Sequence, residues 1–177
     1  MINKFKKIVI KVGSSSIINE KTEKIRIKWL NTLCKDISSF TNDNKKIVIV
    51  SSGAIALGKK VISNNRNIRR LEDKQAAAAV GQIDLVNSWQ KSLNNYKIKS
   101  AQLLLTLNDS EIRRNYLNVR KTISSLHKNN FIPIVNENDT VATEEIRFGD
   151  NDRLAARVAQ MIDADLLIML SDVDGLY

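Results

Sequence analysis

One cysteine, Cys34, and one histidine, His127, occur in the 177 residues. A lone cysteine forms no intrachain disulfide, which suits a reducing compartment such as the cytoplasm. It also leaves no cysteine–histidine set with the spacing of zinc ligands, so no metal site is expected from the protein's own residues. His127 falls near the end of an amphipathic helical pattern, where a cation complements the helix dipole. It reads as structural, and without a second imidazole a serine–histidine–acid triad has no base. A single proline and six glycines exclude collagen-like and linker-like tracts. Aromatic residues make up 5% of the chain and none interleaves with a basic run, so a base-stacking nucleic-acid platform is poorly supported. No apolar run approaches the length of a membrane span. The opening "MINKFKK" lacks the apolar core and small-residue cleavage site of a signal peptide.

What is present is ordinary globular material, 43% apolar and 27% charged, in a length suited to one domain with a sizeable core. The net charge of +9 fits an anionic partner in principle. The lysines are dispersed along the chain, as on solvated faces, and neither a specific nucleic acid nor a membrane is expected as partner.

Five short apolar runs read as buried strands: "IVIKV" (8–12), "IVIV" (47–50), "AQLLL" (101–105), "FIPIV" (131–135) and "LLIML" (166–170). Near-continuous apolarity fits parallel strands covered on both faces. Pro133 weakens the fourth. Between the runs, helical periodicity predicts a helix over 23–40, with Ile25, Trp29, Leu33 and Ile37 as its stripe, widened by Leu30 and Phe40. Cys34 and Trp29 lie in this pattern as core candidates. Residues 71–96 read as one long helix, or two broken at Gly81, carrying Val80, Ile83, Val86, Trp89 and Leu93. Further helices are expected over 112–128, marked by Leu117, Ile123 and Leu126, and over 151–162, marked by Leu154, Val158, Met161 and Ile162. A small hairpin is expected over 139–148. Alternating strands and helices predict an α/β fold, a three-layer α/β/α sandwich with a mainly parallel central sheet.

The polar residues fall where such a sheet binds ligands. Gly13-Ser14-Ser15-Ser16 follows the first run, Ser51-Ser52-Gly53 the second, "NENDT" (136–140) the fourth and Ser171-Asp172 the fifth. Open α/β sheets hold ligands in a crevice outside the carboxyl ends of their strands. Gly13 lets the backbone approach a ligand closely, with the amides that follow facing phosphate oxygens. Ser52 and Gly53 open a helix whose free N–H groups suit an anion. Asp150, Asn151 and Asp152 start another helix, where one such residue suffices as a cap. Lys11, a cation among four aliphatics, calls for a partner at the strand terminus, and an acidic group beside it would orient it. Neither the Walker A pattern nor the dinucleotide glycine pattern occurs.

The stretches "IVIKVGSSSI", "KIVIVSSGAIALG", "KQAAAAVGQ", "AQLLLT", "IPIVNENDTVATEEIRFGDNDRLAARVA" and "ADLLIMLSDVDGLY" together resemble the amino acid kinase family, and within it the branch that phosphorylates glutamate. Sister kinases acting on N-acetylglutamate, aspartate or UMP are expected to lack the "NEND…GDND" pair. The resemblance implies transfer of the ATP γ-phosphoryl group, with Mg2+, to the γ-carboxylate of L-glutamate, the first step of proline biosynthesis in the cytoplasm. It gives Lys11 and Asp152 catalytic roles, and Ser52, Gly53, Asn136, Asp139, Asp150 and Asn151 glutamate contacts, Asp139 facing the substrate ammonium. Lys11, Gly13, Ser14, Ser171 and Asp172 are implied on the ATP side. The family continues past "DGLY" into a glycine-rich segment with a second catalytic lysine, and many members add a PUA domain. Residues 1–177 therefore read as the N-terminal, glutamate-binding part of a truncated kinase domain. A homo-oligomer is expected, because an incomplete sheet exposes an edge and apolar surface. A catalytically inactive glutamate-binding module stands as the alternative.

Overall fold

The computed structural model describes residues 4–19, 21–63, 68, 70–141 and 150–171. Five parallel strands form the central sheet: β1 (Lys7–Val12), β4 (Lys46–Ser51), β5 (Lys99–Leu105), β6 (Phe131–Glu137) and β7 (Leu166–Leu170). Their order is β5-β6-β4-β1-β7, so β4 is the middle strand, flanked by β6 and β1. These are the five apolar runs read from the sequence. Pro133 pairs with Ala101 of β5, while the pairing of β6 with β4 begins at Ile134. The missing N–H thus falls outside the β4 ladder, and the proline is tolerated inside the sheet.

Side-chain alternation divides the core in two. Ile8, Ile10, Val12, Ile47, Ile49, Ile132 and Ile134 pack with Leu30, Cys34 and Ile37 of α2 (Ile27–Asn42) and Leu85, Trp89 and Leu93 of α4 (Leu71–Asn94). Val9, Val48, Val50 and Val135 pack with Ile123 of α6 (Arg113–Lys128) and Leu154, Ala155 and Val158 of α7 (Asp150–Met161). The three-layer sandwich is thus established. Lys11 follows Val9 by two positions and so belongs to the α7 side. The chain leaves β4 through α3 (Ala54–Ser63) and α4 on one face, and leaves β6 through α7 on the other. β4 and β6 are neighbours. The sheet therefore has a topological switch point between them, where ligand crevices open.

Several local expectations are corrected. The helix predicted from residue 23 starts at Ile27, because Lys24–Ile25 (β3) pairs antiparallel with Ile18–Asn19 (β2). A short helix α1 (Ser14–Ile17) precedes that pair, and the Asn19 side chain accepts from Lys21 N and Thr22 N to make the turn. Another short helix, α5 (Leu107–Glu111), precedes α6. Ile83 and Leu117 are exposed, so neither belongs to the core stripe of its helix. The hairpin expected over 139–148 lies outside the described residues beyond Val141.

Gly81 does not break α4, which runs unbroken from Leu71 to Asn94. It is a packing device. A Cβ on Gly81 would lie 1.9 Å from Ala54 O, and one on Gly58 would lie 1.9 Å from Ala77 O. Helices α3 and α4 therefore cross at backbone contact, through a small-residue seam.

Candidate active site

The first turn of α7 gathers three strand ends. Asp152 Oδ1 is 2.5 Å from Lys11 Nζ on β1. Asn151 Nδ2 donates to Ser51 O at 3.2 Å and to Ser52 Oγ at 2.7 Å, both at the end of β4. It also meets Asn136 Oδ1 on β6 at 3.0 Å. Five of the residues singled out from the sequence thus stand together at the carboxyl rim, with the switch point at their centre: Lys11, Ser52, Asn136, Asn151 and Asp152.

Lys11 is 8% exposed, which the sequence flagged as a problem for an ammonium inside a strand. Its partner solves it. Asp152 Oδ1 is itself buried and lacks an aligned hydrogen bond, so charge holds the pair. Gly13 stands beside this ammonium. Its backbone is extended (φ −69°, ψ 154°), so no left-handed conformation demands glycine there. A Cβ there would make ordinary contact, 3.5 Å from Lys11 Nζ and 3.4 Å from Leu170 O, and glycine leaves that position beside the ammonium bare. Gly13 N donates to that same Leu170 carbonyl. Ser14 opens α1 next to it, and Ser171 follows the end of β7.

Gly53 differs. Its φ of +115° lies where side chains are disfavoured, and a Cβ would press to 2.7 Å from Ile18 Cδ1. Just before it, Ser52 N donates to Val12 O and ties the rim of β4 to β1. Asp139 follows β6 in a turn. The side chain of Asp150, and Asp172 entirely, lie outside the described structure.

Two polar contacts were not foreseen. Trp89 Nε1, fully buried, donates to Ser51 Oγ at 2.9 Å, and Gln82 Oε1 accepts from Asn136 Nδ2 at 2.6 Å. Gln82 is the first polar side chain after the alanine-rich run of α4, and that position was the one signal available. Glu137 N donates to Asn136 Oδ1 at 2.9 Å, which fixes the orientation of the Asn136 amide. Asn151 Oδ1 and Gln82 Nε2 are buried without a hydrogen-bond partner among the described residues. Such orphaned groups cost stability unless a water or ligand meets them.

No group of three or more His, Cys, Asp or Glu side chains stands together among the described residues. The rim offers one buried cation, hydroxyls and oriented amides. That equipment is chemically suited to an anion and to a small polar molecule laid along the rim.

The sequence matches the amino acid kinase family over residues 6–177, and the chain belongs to that family. Within it, the chain is 52% identical over 176 residues to a glutamate 5-kinase of Sinorhizobium fredii, covering 99% of this chain and 44% of that protein. It is 53% identical over 176 residues to a glutamate 5-kinase of Nitrobacter hamburgensis, covering 99% and 46%. A glutamate 5-kinase of Agrobacterium fabrum is 54% identical over 171 residues, covering 97% and 44%. The chain therefore spans under half the length of these curated relatives.

Proposed function

We propose that this chain is the glutamate-binding part of a kinase that transfers the γ-phosphoryl group of ATP to the γ-carboxylate of L-glutamate. One observation carries the reading: a buried ammonium, Lys11, is paired with Asp152 at the sheet rim, next to the Asn151–Ser52–Asn136 cluster. The names of the relatives support the substrate, and their greater length supports a nucleotide-binding portion beyond what this chain spans. Residues 1–177 are then the N-terminal part of the kinase domain. The product, an acyl phosphate, enters proline biosynthesis in the cytoplasm, and the protein works as a homo-oligomer.

The chemistry suits the residues. A glutamate γ-carboxylate is already ionised at neutral pH, so the nucleophile needs no general base. Phosphoryl transfer then depends on positioning and on neutralising charge spread over the phosphoryl oxygens. Lys11 supplies that positive charge between donor and acceptor oxygens, and Asp152 orients it. The space beside Gly13 admits a phosphate oxygen next to the ammonium, with Ser14, Ser171 and Asp172 on the nucleotide side. ATP arrives with Mg2+, which adds charge neutralisation on the phosphates. Ser52 Oγ already accepts from Asn151, so its own hydrogen is available to a substrate carboxylate. Gly53, Asn136, Asp139, Asp150 and Asn151 complete the glutamate site, Asp139 facing the ammonium.

Calorimetric titration of the chain with L-glutamate, followed by incubation with MgATP and hydroxylamine, tests this reading. Glutamate binding with formation of the hydroxamate supports the kinase. Binding without hydroxamate supports an inactive binding module. Absence of glutamate binding overturns both.

A further inference from the structure

The hydrogen bonds around Asn136 have a fixed polarity, and it propagates to Gln82. Glu137 N–H can only donate, so Asn136 turns Oδ1 toward it and Nδ2 away. Asn136 Nδ2 then requires an acceptor, and Gln82 meets it with Oε1 at 2.6 Å. The other end of the Gln82 amide is thereby a donor, Nε2, which is buried and without a partner among the described residues. Covalent geometry keeps that donor in the immediate neighbourhood of Asn136. Close by, Asn151 is held the same way. Its Nδ2 is consumed by Ser51 O, Ser52 Oγ and Asn136 Oδ1, which leaves Oδ1 as a buried acceptor with no partner.

An unmet donor beside an unmet acceptor is complementary to a molecule that carries an anionic and a cationic group on one carbon. The strand order sets which end of the substrate arrives there. Lys11 is on β1, and Asn136 is on β6, two strands away with β4 between. At about 4.8 Å per strand, the two rims stand about 10 Å apart. A substrate whose reacting carboxylate lies near Lys11 thus presents its other end to Asn136 and Gln82. The seam of Gly58 and Gly81 holds α4 at that distance, because Gln82 directly follows the glycine in contact with α3.

From these contacts we infer that Gln82 is a specificity-determining residue, donating its free Nε2–H to the α-carboxylate of the amino acid substrate, while Asn151 Oδ1 accepts from the substrate ammonium. The inference rests on the glutamate-binding reading above and adds the residue that distinguishes an amino acid from a simple carboxylate.

Gln82→Glu is the informative variant. It keeps an acceptor for Asn136 Nδ2 and replaces the donor with an anionic carboxylate oxygen. The measurements are thermal unfolding of the full chain without ligand, and calorimetric affinity for L-glutamate and for 4-aminobutyrate, which lacks the α-carboxylate. Gln82→Met, which loses both contacts, is the second arm. The expected result for Gln82→Glu is a lowered melting temperature, because a carboxylate is buried, with glutamate affinity weakened by about 10- to 100-fold or more, through the lost hydrogen bond to a charged group and the like charge facing the α-carboxylate. Affinity for 4-aminobutyrate should move by less than about threefold, so the preference for glutamate collapses. Gln82→Met should lose both stability and glutamate affinity. If wild-type chain binds glutamate and Gln82→Glu binds it equally well, Gln82 merely positions Asn136 and the inference is overturned. Equal weakening toward both ligands also overturns it. If wild-type chain binds no glutamate, the functional reading itself falls.

Discussion

Lys11 and Asp152 meet at 2.5 Å with unequal access to water: the lysine side chain is 10% exposed and the aspartate 42%. The two charges are therefore not interchangeable. Removing the aspartate strands an ammonium inside the protein, whereas removing the lysine leaves a carboxylate that water can reach. Asp152→Ala is expected to cost about 1–3 kcal/mol, the penalty for an unmet buried polar group. Lys11→Met keeps the apolar stem and is expected to cost under about 1 kcal/mol. Urea unfolding of both variants checks the order, and the reverse order would show that the pair is not buried as described.

The same Lys11→Met substitution separates stability from chemistry. If the ammonium acts on phosphoryl oxygens, hydroxamate formation should fall by roughly 10²–10³-fold, as for loss of one preorganised donor. Glutamate affinity should change little, because the Asn151–Ser52–Asn136 cluster remains. A variant that turns over normally would remove Lys11 from the reaction.

The α3–α4 seam predicts opposed effects whose sizes decide the outcome. Replacing Gly81 by alanine gains about 1 kcal/mol of helix propensity. It also drives a methyl to 1.9 Å from Ala54 O, a backbone atom that cannot turn aside. Forced separation of packed elements costs about 1–3 kcal/mol and occasionally more, so Gly81→Ala is expected to be net destabilising. Gly58→Ala meets Ala77 O in the same way. Thermal unfolding measures both, and a stabilised Gly81→Ala would show that the helices slide apart freely.

The strands were legible because each is a short apolar run, covered on both faces in β1, β4 and β6, although the edge strands β5 and β7 leave Leu104 and Met169 exposed. The rim was legible because small and polar residues follow four of the strands. Lys11 was the clearest single residue, since a cation within a buried strand demands a partner, and Asp152 stands there. The misses share a cause. The pairing of β2 with β3 depends on two-residue strands and an Asn19 turn, which carry no periodicity. At Gly81 one helix and a break both stood open, because sequence shows the missing side chain but not the neighbouring helix that occupies its place. Gln82 and Trp89 reach the site only through that crossing, so their contacts with Asn136 and Ser51 follow from tertiary packing rather than from any local pattern. Ile83, exposed beside them, shows the same limit: with α3 packed on Ala77 and Gly81, the small residues and not the large one face inward.

His127, set aside as structural in the sequence, makes a pH-dependent contribution whose sign follows from its contacts. Its Nε2 lies 2.9 Å from the carbonyl of Ile47 in β4, so the ring donates there. Burial pushes its pKa below the ordinary 6.5, the carbonyl pulls it partly back up, and nearby Lys46 and Lys7 push it further down. The folded protein thus holds the ring neutral at a pH where the unfolded chain already binds a proton. Its contribution is full above about 6.5, declines as acid is added through the interval down to the lowered folded pKa, and is lost below that. The slope within that interval is at most about 1.4 kcal/mol per pH unit. Asp109 and Asp165 do not interfere. Burial raises the Asp109 carboxyl, but hydrogen bonds from Thr106 and Asn115 outweigh it, and backbone amides of Lys7 and Lys6 lower Asp165. Both carboxyls therefore weaken the fold only as pH drops below the usual 3.8. Urea unfolding at several pH values between 5 and 8 should show a steeper loss in wild type than in His127→Gln, whose amide N–H still reaches the carbonyl but cannot titrate. Parallel curves for the two proteins would mean that His127 takes up its proton as easily folded as unfolded.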